Sequence, residues 1–368
     1  MLYTINNKEL KGEPGQRICG LDLIRVCAIF FVIAGHFFSL NTAYASSLVN
    51  SLSMVIQGML LTIFGCAVPL FMMLTGYLNI HKTPTKKYYK GMIRVLVAYL
   101  FFSIVTIAFR TYYLGEELSI VQWILKIFNY SAIPYAWYIE MWIGLALLAP
   151  FLNYLWHAIP TMGGKLLLIG VMFFMSPLSN FVNNQVFLLP NYFTEACYPL
   201  FFYFMGTFIR EYQPTIKVWV GILVILLVSL VNPLLTVLLY GGESISVQVA
   251  GSPGSALRAW IAVAIFLMLY RKDIQVACIK KWVTHCSMVS LEMYLCCYMF
   301  DQLYYPWFKQ HFFVSQAQFL PWFFVIVPLC FFSSYLVAAG YNALSRRLML
   351  LRNGECSGAA VNRTEGAG

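Results

Sequence analysis

Runs of about twenty mainly apolar residues, separated by short clusters of Lys and Arg, recur along this chain and constrain its fold more than any other feature. A helix needs about 20 such residues to cross a bilayer, because every peptide group in hydrocarbon must be hydrogen-bonded within its own segment. By that rule the sequence predicts spans near 20–41, 52–80, 91–114, 133–156, 165–181, 194–210, 217–240, 256–270, 283–305 and 321–344. Of the 368 residues 61% are hydrophobic and only 10% charged, too little charge to cover a soluble protein of this length. The predicted fold class is all-α: a polytopic transmembrane helix bundle of about ten spans. The second span contains Pro69 and Gly76 and is expected to kink or tilt.

The basic residues set an expected orientation. With the N-terminus placed in the cytoplasm, nineteen of the 24 Lys and Arg fall on the inner side. Four (Arg110, Lys126, Arg258 and Lys309) fall outside, and Arg25 is left within the first span. That asymmetry follows the positive-inside rule and predicts both termini in the cytoplasm. The domains read as a cytoplasmic arm over 1–19, a membrane domain over 20–345 and a disordered Gly/Ala-rich cytoplasmic tail over 346–368. No cleavable signal peptide is evident, so the first apolar run reads as an anchor that stays. Residues 115–130 place Leu118, Val121, Leu125 and Phe128 at helical spacing, as in an amphipathic helix on the outer surface. The ten cysteines show no CxxC pair and no Cys/His ligand spacing, so neither a disulfide framework nor a metal site is indicated. A net charge of +10 arranged this way points to membrane topology and not to nucleic acid.

Ionisable groups inside spans are costly and face a protein interior or a water-filled cavity by default. Here they are Asp22, Arg25, His36, Glu140, Glu195, Arg258, Glu292 and Asp301. Arg258 and Asp301 are near span ends and read as reaching the interface. Residues eleven apart on a helix turn through 1100°, about 20° from register. Arg25 and His36 therefore share one stripe, about 16 Å apart in rise, and Asp22 stands at i−3 to Arg25, close enough to orient it. A guanidinium suits phosphate, and an imidazole can take a proton at neutral pH. Together they suggest a long phosphorylated donor whose reactive end reaches the histidine. Two plainer readings stand beside that one: a snorkelling Arg25 paired with Asp22, and a His36 that only packs. Tyr112, Tyr113, Asn180, Asn183, Asn184 and Tyr192 on the outer side suit a sugar or a headgroup belt equally.

The stretch GLDLIRVCAIFFVIAGH (20–36) resembles the first span of the acyltransferase type 3 superfamily, whose signature is an arginine, ten residues and a histidine. VPLFMMLTGYL (68–78), AWYIEMWIGLALLAPFLNYL (136–155) and SLEMYLCCYMF (290–300) are similar to later family segments, in the same order. The resemblance implies a membrane O-acyltransferase, most simply an O-acetyltransferase. It would move an acetyl group from cytoplasmic acetyl-CoA to a hydroxyl of an extracytoplasmic sugar, polysaccharide or lipid-linked glycan of a bacterial cell envelope. It implies a multi-pass protein of the inner or plasma membrane, with acyl-CoA, glycan and membrane lipid as partners and no metal. On that reading Arg25 and His36 are the catalytic pair. Arg25, Arg94 and Lys90 bind the CoA phosphates, and Asp22 and Glu140 support them. His36 acts either as general base or as acyl carrier, and the sequence leaves both open. Two positions depart from the family: Gly91 stands where a first arginine precedes Arg94, and Cys297 where many members have a histidine. A proton-coupled transporter using the same intramembrane charges is the alternative.

Overall fold

The computed structural model describes residues 17–41, 51–183, 189, 194–240 and 254–364, and among these every regular element is helical. In chain order they are α1 (Cys19–His36), extended by a π-turn over Phe37–Asn41, α2 (Leu52–Phe64), α3 (Ala67–Asn79), α4 (Lys86–Tyr112), α5 (Ile120–Phe128) and α6 (Trp137–Ala158). There follow α7 (Met162–Phe173), which runs through a second π-turn into α8 (Ser179–Val182), then α9 (Thr194–Tyr212), α10 (Val218–Tyr240) and α11 (Ala256–Leu269). The last are α12 (Ala277–Met288), α13 (Ser290–Phe312), α14 (Gln316–Phe319) and α15 (Phe323–Thr364).

Helix starts follow local chemistry. Ser51, Thr85 and Thr161 each accept a hydrogen bond from the backbone N–H three residues on, and Ser119 and Gln122 form a reciprocal capping box at α5. Each cap satisfies amide groups that a helix start otherwise leaves bare. Among the described residues seven helical stretches are long and apolar enough to cross a membrane: Cys19–Asn41, Leu52–Asn79, Lys86–Tyr112, Trp137–Ala158, Met162–Val182, Val218–Leu238 and Ala317–Arg347. The other three expected spans correspond to α9, α11 and α13. Helix α11 has 14 residues, whereas α9 and α13 carry Glu, Arg, Asp or Lys together with several Tyr, which lower their hydropathy.

The expected bend in the second span is a break. Gly65 and Cys66 separate α2 from α3, and Pro69 stands in the first turn of α3, where its missing N–H is no loss. Arg258 lies against Gly65. It is buried, which corrects its reading as an interface residue: α11 begins deep in the bundle beside this break, so its first turn has no water to reach. Helices α3 and α9 cross at two glycines. A Cβ on Gly76 would stand 2.0 Å from the Tyr203 carbonyl oxygen, and one on Gly206 2.0 Å from that of Met73. Small residues at the crossing are what let membrane helices approach this closely.

Helix α1 is the central wall. It packs against α2, α3, α11, α12, α13 and α15. One side of it, Leu21, Ile24 and Ala28, joins an apolar core with α3, α9 and α11. The other, Ile29, Ile33 and Ala34, joins a core with α13 and α15. At one end of the bundle, where α1 begins, loops and helix ends are tied together: Asn153 donates to the Asn79 and Lys82 carbonyls, His157 meets the Ile80 carbonyl and Tyr270 donates to the Pro214 carbonyl. This is also the end that gathers the basic clusters, and we call it the basic end. At the far end, α5 leaves Ile120, Val121, Leu125 and Phe128 exposed and has no buried residue, as an amphipathic helix lying on a membrane surface would. Helix α15 continues to Thr364, across residues whose composition reads as disordered, and no proline interrupts it there. Residues Lys8, Lys11, Asn184 and Tyr192 and the side chains of Glu195, Arg352 and Arg363 lie outside the described residues.

Candidate active site

Asp22 is the hub of the basic end. It is only 1% exposed, and its carboxylate accepts from Arg17, from Arg25 Nη1 at 3.2 Å and from the Ser287 hydroxyl at 2.7 Å. Arg25 Nη1 also lies 3.4 Å from Ser287 Oγ. The guanidinium of Arg25 is thus held from two sides, by its own helix and by α12, through Nη1, and its other nitrogens make no hydrogen bond among the described residues. A buried carboxylate shared in this way holds its arginines in place without neutralising all of their charge.

Arg25 lines three cavities that meet at this end. One, of about 280 Å³, is rimmed by Arg17, Asp22, Tyr77, His81 and Arg210. A second, of about 460 Å³, is rimmed by Arg17, Arg94, Ser287, Glu292 and Arg346. The third, of about 290 Å³, is less polar and passes Thr75, Ser290 and Trp142 to Tyr138 and Tyr294. Two cationic mouths therefore open beside one less polar passage. Gly91, where the resemblance places a first arginine, opens on the second mouth with no atom within 4 Å of where its Cβ would stand. Arg17 and Arg346 supply guanidinium groups to that mouth instead.

The passage stops at Tyr138 and Tyr294, and His36 lies behind that wall without lining it. The Tyr294 hydroxyl donates to the Tyr135 carbonyl, and the Tyr135 ring packs on the His36 imidazole with centroids 3.9 Å apart. His36 is the last residue of α1, where the helix widens into its π-turn, a distortion that recurs at functional positions in helices. The widened turn lets Asn41 donate to the His36 carbonyl at 3.1 Å. His36 Nδ1 is 3.1 Å from Asp301 Oδ2. That same oxygen accepts from the Tyr135 hydroxyl at 3.0 Å and lies 3.4 Å from Asn41 Nδ2. Asp301 is 0% exposed, which corrects its reading as an interface residue: α13 continues well past it to Phe312, so position 301 is mid-helix and faces α1. A carboxylate on Nδ1 fixes the ring and leaves Nε2 as the nitrogen available for chemistry. Cys297, one turn before Asp301 on α13, places its sulfur 3.9 Å from His36 Nδ1. The position where the resemblance places a histidine is therefore next to His36, filled here by a thiol.

The structure gathers Asp22, Arg25 and Arg94 around the cavities of the basic end and sets His36 beyond the passage, behind Tyr294 and Tyr135. It does not bring in Lys90 or Glu140: both are exposed. Asp301 holds the position expected of Glu140. Sequence reasoning missed Tyr135, Asn41, Ser287 and Arg17. Asp301 had one usable signal, since it follows Cys297 by four residues and Tyr294 by seven and so shares their helix face. Tyr135 is in a loop, one of 24 tyrosines, and had none. Of the candidate sugar contacts, Tyr112 and Tyr113 are exposed, whereas Asn183 is buried and bonded to Ser179 and to the Leu189 carbonyl.

A family model described as an acyltransferase domain matches residues 19–339. No curated protein and no solved structure matches the chain.

Proposed function

The chain belongs to the acyltransferase type 3 superfamily, and from that membership we propose that it is an O-acetyltransferase carrying acetyl from cytoplasmic acetyl-CoA to a hydroxyl of an extracytoplasmic glycan. The observation that carries the proposal is the placement of Arg25 and His36 on one helix, with Arg25 lining a passage whose Tyr294 wall bonds the Tyr135 that packs on His36, and with His36 backed by a buried carboxylate. The proposal takes ten spans with both termini in the cytoplasm, which puts the basic end inside. It takes the inner membrane of a bacterium as the location. Membership of the family does not favour the transporter alternative.

In this reading the CoA phosphates sit at the cationic mouths, held by Arg25, Arg17 and Arg94. The pantetheine arm runs along the less polar passage and brings the thioester carbonyl to His36. The acceptor sugar enters from the opposite face. His36 Nε2 takes the proton of the acceptor hydroxyl as its oxygen attacks the thioester carbon. The tetrahedral intermediate collapses by breaking the C–S bond, and the proton passes from imidazole to the departing CoA thiolate. Asp301 keeps the imidazole oriented and stabilises its protonated form during transfer. This is the general-base role, and Nδ1 held by Asp301 is what supports it over the acyl-carrier role.

Thermal stabilisation of the purified protein by acetyl-CoA tests donor use. Wild type is expected to gain stability with rising acetyl-CoA, and Arg25→Ala to lose most of that gain. An equal gain in the variant would sink the assignment of Arg25. Mass spectrometry of surface glycans from a deletion strain then identifies the acceptor, as one glycan that is lighter by one acetyl group.

A further inference from the structure

Glu292 has no place in the transfer step, yet it is a buried charge. It stands in the first turn of α13, 2% exposed, on the wall of the 460 Å³ mouth. One carboxylate oxygen, Oε2, is buried without a hydrogen-bond partner among the described residues. The other is 3.9 Å from Arg94 Nη2, too far for a hydrogen bond. Arg94 is 70% exposed and leaves that gap open. Arg17, Arg25 and Arg346 rim the same space.

A mouth that bound only phosphate would be weakened by a carboxylate, which repels the anion that the arginines attract. A buried carboxylate oxygen with nothing to accept from is itself costly. Both facts are accounted for if the ligand brings an anion and, beside it, an N–H or O–H donor. Acyl-CoA, the donor taken above, has that chemistry at one end: a ribose phosphate next to a ribose hydroxyl and an adenine amine. It also carries two separate phosphate groups, and the protein has two separate cationic mouths that share Arg17 and Arg25.

Building on the acetyl-CoA reading, we propose that the Glu292 mouth holds the phosphorylated nucleoside of CoA, with Glu292 accepting a hydrogen bond from the ribose hydroxyl or the adenine amine. The diphosphate then occupies the Arg210 mouth. The site selects an acyl group carried on CoA over the same group on phosphopantetheine alone, the form displayed by a carrier protein.

The test is binding of CoA and of 4′-phosphopantetheine to the purified full-length chain, with Glu292→Met and Glu292→Gln. Methionine keeps the volume and removes the buried charge, and Arg94, being 70% exposed, is not left as a buried unpaired cation. Wild type is expected to prefer CoA, and Glu292→Met to reduce that preference about tenfold, the size of one hydrogen bond to a charged acceptor. Glu292→Gln, which keeps a carbonyl acceptor, is expected to fall between the two. If Glu292 were only a counter-charge, its removal would tighten both ligands alike, and an unchanged preference overturns the proposal. Equal wild-type affinity for the two ligands overturns it as well, while leaving acetyl-CoA as donor. If neither ligand binds wild type, the acetyl-CoA reading fails and this inference fails with it.

Discussion

At the scale of the residue, the site depends on a few side chains whose charges are shared among several partners. Asp301 holds His36, Tyr135 and Asn41 through one oxygen. Replacing it by Asn keeps the shape but allows the ring the wrong tautomer, so Asp301→Asn is expected to lower kcat by about 10²-fold or more with KM for acetyl-CoA unchanged. A parallel loss of acetyl-CoA affinity would instead mark Asp301 as structural. Tyr135→Phe removes only one of the hydrogen bonds to that oxygen and is expected to cost about tenfold or less. Asp22, Arg25 and His36 were legible in the sequence because they lie on one helix, where spacing converts directly to geometry. Asp301, Tyr135 and Ser287 were not, since each meets α1 from a distant part of the chain, as Ser287 does across 265 residues.

Elements set how firmly those residues are held. The far-end loop that carries Tyr135 is fastened by Arg110, which bonds Glu116 twice and donates to the Ser131 and Ala132 carbonyls. The Arg110 hydrogen bonds hold the Glu116 carboxyl below its usual value of 4.5. A depressed carboxyl contributes stability above the unfolded value and loses it as pH falls through the folded one. Hydrogen exchange in residues 129–136, taken relative to the intrinsic rate at each pH, is therefore expected to be slow near neutral pH and to quicken below about pH 4. In Glu116→Gln it is expected to be fast throughout and to lose that pH dependence. A variant that still protects the loop only above pH 4 would assign the effect to another group. At the crossing of α3 and α9, Gly76→Val forces a side chain onto the Tyr203 carbonyl. It is expected to destabilise by about 1–3 kcal/mol or more, measured as a lower Tm in detergent. No loss of Tm would mean that the crossing is looser than drawn. The order of the helices was legible from hydropathy alone, but the break at Gly65 was not: a broken span and a tilted one share the same apolar composition.

Across the whole molecule, α1 divides two apolar cores and carries the charged stripe between them. The all-helical bundle followed from composition, and the acyltransferase family from ordered motifs that the family model spans. The three cavities meeting at Arg25 did not follow from either, because a cavity is made by what several helices leave unfilled. The central claim is that acetyl leaves CoA and reaches its acceptor at His36. Its most direct test is transfer of radiolabelled acetyl from acetyl-CoA to an envelope glycan fraction by purified, folded protein, wild type against His36→Ala. The variant is expected to keep acetyl-CoA stabilisation and to lose transfer by at least about 10²-fold. Transfer at the wild-type rate in His36→Ala would contradict it.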